Sequence, residues 1–179
     1  MTLRARLACE EDVEAIMKII KAVVPLMQAS GNFQWDEIYP SEAVIREDIA
    51  KSQCYVVERK LDEKANATID GLLGFTALTE DQSPEYADAG WDLTIPAIVP
   101  HRMAVSPEAR RQGVAAFMYA HSEVLARERG YDRVRVDTNK VNGPMNSTIQ
   151  NAGFKLAGEI NLSTKPKDMK FNCYEKILL

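Results

Sequence analysis

The chain has 179 residues, 46% of them apolar and 27% charged, with a net charge of −4. That length and composition predict one soluble domain over 1–179 with a sizeable core and exclude a disordered or membrane-spanning protein; the net charge disfavours nucleic-acid binding, because polymer binding needs a basic face. Three scattered cysteines and two histidines exclude a disulfide framework and a Cys- or His-based metal cluster.

Residues 2–8 read as a first strand. Val13, Ile16, Met17, Ile20, Val23, Val24 and Met27 then recur at helical spacing behind an acidic first turn, with Pro25 expected to end or kink the helix. Residues 31–40 are irregular and hold Phe33, Trp35 and Tyr39. Ser41 is placed to cap a second helix reaching about Ala50. The period then changes: 54–58 is a strand, 62–67 a charged turn and 69–79 its hairpin partner. A polar loop, 80–92, carries Tyr86 and Trp91. Residues 95–105 form a further strand, followed by a helix from about Arg111 to Arg129 with His121 on its apolar stripe. Gly130 stops that helix. Strand 133–137, a short helix 144–152 ending at Gly153, and strands 154–160 and 170–178 complete the order β-α-α-β-β-β-α-β-α-β-β. This is a mixed α/β chain around one sheet. Its last strands are available to pair with another subunit.

The short run from His101 to Ala115 concentrates the chemistry. His101, Arg102, Arg110 and Arg111 make a local basic spot on an acidic chain, which suits a small phosphorylated ligand better than a polymer. Arg110, Arg111, Gln112, Gly113, Val114 and Ala115 carry strand into helix, and a helix N-terminus offers unpaired amides and positive dipole to a phosphate. A plain connection with solvated arginines has the same letters. A P-loop and a dinucleotide fingerprint are both absent.

Arg110-x-x-Gly113-x-Ala115 resembles the (Q/R)-x-x-G-x-(G/A) motif of the GNAT superfamily of N-acetyltransferases. Asn142-x-x-Met145-x-x-x-Ile149-x-x-x-Gly153-Phe154 is similar to that superfamily's second signature, in the expected order and separation. The resemblance spans almost the whole chain. It implies a mixed, mostly antiparallel central sheet flanked by helices, acetyl-CoA as co-substrate with no metal, and transfer to a primary amine or peptide, with a homodimer possible by analogy; the cytoplasm is expected from the scattered cysteines, which suit a reducing compartment. It further implies that backbone at Met103, Ala104 and Val105 pairs with the pantetheine arm, that the amides of 111–115 hold the pyrophosphate, and that Asn142, helped by Asn146, binds the arm. Asn142 read without the family is a turn residue before Gly143-Pro144.

The superfamily's proton-donating tyrosine falls at Ile149, which has no proton to give. A thiolate is still a tolerable leaving group, so loss of that acid slows the reaction without changing it. The amine needs a base more than the thiolate needs an acid, because a lysine-like amine is almost wholly protonated at neutral pH. His101 titrates in the right range and is the candidate base, with Glu80 in reserve; a structural histidine within the sheet is the other reading of His101. His121 reads as a satisfied core residue. Trp35, Tyr39, Tyr86 and Trp91 could wall an acceptor pocket rimmed by carboxylates, or plug the core. Two other functions share these letters: an acyl-CoA-binding sensor that no longer turns over, and a transferase acting on protein N-termini or lysines.

Overall fold

The structure, a computed structural model, describes residues 2–59 and 71–178. The charged turn expected at 62–67 lies outside the described residues, as do Ile69 and Asp70 of its partner strand. The elements appear in the expected order: β1 (Leu3–Leu7), α1 (Val13–Ala29), α2 (Glu42–Ala50), β2 (Cys54–Arg59), β3 (Gly74–Thr79), β4 (Val99–Val105), α3 (Val114–Glu128), β5 (Arg133–Asn139), α4 (Gly143–Asn151), β6 (Lys155–Ile160) and β7 (Phe171–Ile177).

Local chemistry accounts for most of the boundaries. Ser41 caps α2, its hydroxyl accepting from Val44 N at 3.3 Å. Gly130 and Gly153, at φ 74° and 88°, end their helices in the left-handed region that a Cβ disfavours. Two boundaries differ from the sequence reading. Helix α1 runs past Pro25 to Ala29: the proline is exposed, and the buried Ile16, Ile19, Ile20, Val23 and Val24 hold the helix to the sheet despite the lost backbone bond. Strand β4 starts at Val99 rather than near Ile95, because Pro96 has no amide to give a ladder.

The sheet is split. β1-β2-β3-β4 form an antiparallel sheet, and β5-β7-β6 form a second. They meet at one parallel bridge, Ile98 to Val134, where Ile98 N donates to Arg133 O at 3.3 Å and Arg135 N to Ile98 O at 3.0 Å. Beyond it β4 and β5 run on in parallel without pairing, as two arms of an opening. One face of the first sheet packs on α1 through Ile16, Ile20, Val56, Phe75 and Ala104. On the opposite face, Val57, Leu73, Val114 and Met118 join β2 and β3 to α3, while Leu78, Tyr119, Val134, Val136 and Ile149 join both sheets to α3 and α4. Gly74 lets β3, β4 and α3 come this close: a Cβ there would sit 2.7 Å from Ala104 O and 3.2 Å from Val114 Cγ1.

Candidate active site

Strand β4 carries a bulge at its middle. Phe75 opposes Ala104 and Ala77 opposes His101, so Arg102 and Met103 together face Thr76. Arg102 adopts φ 49°, a left-handed conformation costly for a residue with a Cβ. Its side chain holds it there. Nε and Nη2 donate to the two carboxylate oxygens of Asp48 on α2, both at 2.7 Å, in a pair with 17% and 7% side-chain exposure. Thr76 Oγ1 also donates to His101 O at 3.1 Å. Past the bulge, Ser106 N donates to Leu73 O at 2.8 Å, so strand alternation turns the amides of Met103 and Val105 away from β3 and toward the opening. Ala104, expected to offer its backbone as well, is instead turned to β3.

The turn after β4 leaves backbone amides unpaired. Gly113 and Arg111 have φ of 81° and 59°. The first helical bond is Phe117 N to Gly113 O at 2.9 Å, leaving the amides of Val114, Ala115 and Ala116 without a carbonyl below them. A Cβ on Gly113 would meet nothing within 4 Å, so the space beside this backbone is open. Arg110 and Arg111 are exposed and make no ion pair among the described residues. Gln112 is tied back, its Nε2 donating to Glu108 O at 2.7 Å.

His101 lies three residues past the bridge on β4, and Asp137 three residues past it on β5. Both address the 80–92 segment: His101 Nε2 is 3.2 Å from Asp81 O, and Tyr86 donates a short hydrogen bond to Asp137 Oδ1. A carbonyl only accepts, so Nε2 carries the proton and Nδ1 the lone pair. Burial lowers the His101 pKa below its ordinary 6.5. Asp137 and Asp81 oppose that shift, and the Arg102 charge adds to it. The imidazole is therefore neutral at pH 7. The sequence does not single out Asp137, because strand 133–137 shows only alternation of charge and valine.

Several expected site residues are placed otherwise. Tyr86, Trp91 and Trp35 are buried to 1%, 7% and 5% exposure. Tyr86 and Trp91 meet edge to face in a cluster with Val99 and Phe171, and Trp35 stacks on Phe75. They act as core rather than as free-standing walls, because the loops fold their rings inward over apolar sheet positions. Tyr39 alone of the four stays half-buried. Glu80 is engaged by Arg129 and by the Tyr131 hydroxyl at 2.8 Å, on the far side of the bridge from the opening. Asn146 is saturated: the two protons of Nδ2 are shared among the carbonyls of Asn139, Lys140 and Asn142, and Oδ1 accepts from Asn172 and Tyr174. It has nothing left for a ligand. Asn142 caps α4 through Oδ1, accepting from Met145 N at 3.3 Å, and its Nδ2 remains open. His121 packs on the Tyr55 ring, but its buried Nε2 has no partner among the described residues, so it is core without being satisfied there. Ile149 is wholly buried among apolar side chains.

Open paired arms, a bulged strand and an amide-lined turn into a helix define an acyl-CoA-type N-acyltransferase fold. The family model for the acetyltransferase (GNAT) family matches residues 20–154, and the chain belongs to that family. Its fold is similar to that of a GNAT-family acetyltransferase from Streptococcus agalactiae (21% identity, TM-score 0.77, 99% of this chain and 96% of that one). It is also similar to one from Listeria monocytogenes (22%, TM-score 0.71, 98% and 95%). A chain of the NatC complex bound to Gag peptide and CoA matches at 16% identity and TM-score 0.69, covering all of both chains. No curated protein matches the sequence. Among the described residues no helix is long and apolar enough to cross a membrane.

Proposed function

We propose that the chain transfers an acetyl group from acetyl-CoA directly to a primary amine held between β4 and β5, with His101 removing the amine's proton. The observation that carries this reading is the juxtaposition, level with each other on the two open arms, of a neutral imidazole and a carboxylate. Bound acetyl-CoA supplies the acyl carbon: its C–S bond breaks as the C–N bond forms, giving an amide, the coenzyme's thiol and one proton. The amides of 114–116, with Arg110 and Arg111 beside them, would hold the diphosphate. The Met103 and Val105 amides and Asn142 Nδ2 would hold the arm, as an added strand pairs with a free edge. Of these, the amide at the bulge would stabilise the charge that the carbonyl oxygen gains.

On the acceptor side, Asp137 attracts the ammonium and His101 Nδ1 takes its proton. Asp81 O fixes the imidazole by holding Nε2–H. Ion pairing of Arg102 with Asp48 fixes the strand from which His101 projects. A small acceptor is favoured over a polypeptide because the 31–40 segment ties across both arms. Arg102 Nη1 lies 3.5 Å from the Tyr39 hydroxyl, and Asn139 Nδ2 of β5 donates to Asn32 Oδ1 at 3.0 Å. A peptide acceptor would need that side open.

Thiol release from acetyl-CoA with polyamines, arylalkylamines, aminoglycosides, amino acids and peptides tests the proposal. Release with at least one small amine, lowered by about 100-fold or more in His101→Ala, is the expected result. Coenzyme binding without release for every amine would instead establish a sensor.

A further inference from the structure

One cation on the acceptor side has no carboxylate within ion-pair distance among the described residues. Lys165, in the connection between β6 and β7, is half-buried; its Nζ donates to Gln34 O at 2.8 Å and lies 4.7 Å from the centre of the Tyr39 ring. It makes no ion pair among the described residues. Burial pushes its pKa below the usual lysine value, so the ammonium is held where water supports it poorly. A desolvated ammonium without a carboxylate is costly, and such groups persist where an anion completes them.

The surroundings show where that anion would lie. Tyr39 is flanked by two cations, Lys165 over its ring and Arg102 Nη1 beside its hydroxyl. Arg102 spends Nε and Nη2 on Asp48, leaving Nη1 facing Tyr39. Asp36, the carboxylate that eases the Lys165 charge, accepts at Oδ1 from the amides of Ile38 and Tyr39 at 2.8 and 2.7 Å, which hold it beyond ion-pair distance of Lys165. The same segment reaches β5 through Asn32 and Gln34, which meet Asn139, two residues beyond Asp137.

Resting on the proposed acetyl transfer, we infer that the acceptor is an amine that also carries a carboxylate, which Lys165 and the Tyr39 hydroxyl bind while Asp137 and His101 receive the amino group. The site thus places positive and negative groups at opposite ends of a zwitterion. Selectivity arises because an uncharged analogue leaves Lys165 unmatched.

The test is kcat/KM for matched acceptors: amino acids, their amides and their decarboxylated amines. The wild-type protein should favour the acid member by about tenfold or more, the effect of one well-placed charge pair. Lys165→Met should remove that preference, chiefly through KM, while amides and plain amines stay within about twofold. Lys165→Arg should keep it. Equal rates for acid and amide in the wild type, or a Lys165→Met loss shared by all three members, would overturn the inference and leave acetyl transfer standing. No turnover with any amine would overturn both.

Discussion

The two arms of the opening, β4 and β5, start from the same bridge and run in parallel, yet they are built differently. β4 is distorted. It carries a bulge, a left-handed Arg102 and amides without strand partners, and it leads into a turn with two more left-handed residues. β5 is regular and pairs with β7 along all seven residues. Strand β4 thus contributes mainly backbone, and β5 contributes side chains from a rigid ladder: Arg135 to Glu175, Asp137 to Tyr86, Asn139 to Asn32. Distortion frees amides from strand pairing, whereas regularity fixes a carboxylate in place. His101 is the exception, a side chain on the distorted arm, and it is the one most dependent on the bulge being held.

Breaking the comparison at that exception should have the largest effect. His101→Ala should lower kcat by about 100- to 10,000-fold, the usual contribution of a positioned base. The wild-type rate should fall as acid protonates the imidazole. Because burial lowers its pKa, the acid limb should have its midpoint below 6.5 and vanish in the variant. Removing the bulge's anchor should come next. Arg102→Ala leaves Asp48 buried and unpaired, an expected loss of about 3–5 kcal/mol of stability by denaturant titration. Arg102→Gly, which tolerates the positive φ, should be the less damaged of the two. Gly74→Ala should cost about 1–3 kcal/mol, because the added methyl meets backbone at Ala104 O. Asp137→Asn should act most mildly, raising the acceptor KM by about tenfold, in line with a loss near 1.4 kcal/mol. It should also move the acid limb to lower pH, since Asp137 favours the imidazolium. A change in coenzyme affinity instead would assign Asp137 to the wrong arm.

The same contrast explains what could be read from the letters. The path from β4 to α3 was legible because backbone function needs particular residues at fixed spacing: Arg110, Gly113 and Ala115 name the turn, and His101 falls before it. The element order was legible from periodicity and from stops such as Gly130 and Gly153. Asp137 was not, because in Arg133–Asp137 a charged residue alternating with valine looks the same whether it faces water or a site. Only the bridge to Ile98 puts it beside His101. Asn146 misleads for the converse reason, since an asparagine near a motif does not declare that both its protons and both its lone pairs are already engaged. Trp35, Tyr86 and Trp91 were ambiguous between wall and plug, and the loops settle them inward. Lys165 sits in a connection with no motif, and only the folded contacts with Gln34 and Tyr39 give it a place.

Calorimetric titration of coenzyme A into the purified protein tests the account most directly. The expected result is one site per chain, with binding weakened at least about tenfold by Gly113→Glu, which brings both a disfavoured positive φ and a negative charge to the turn. No heat of binding at millimolar coenzyme, or equal affinity in the variant, would contradict it.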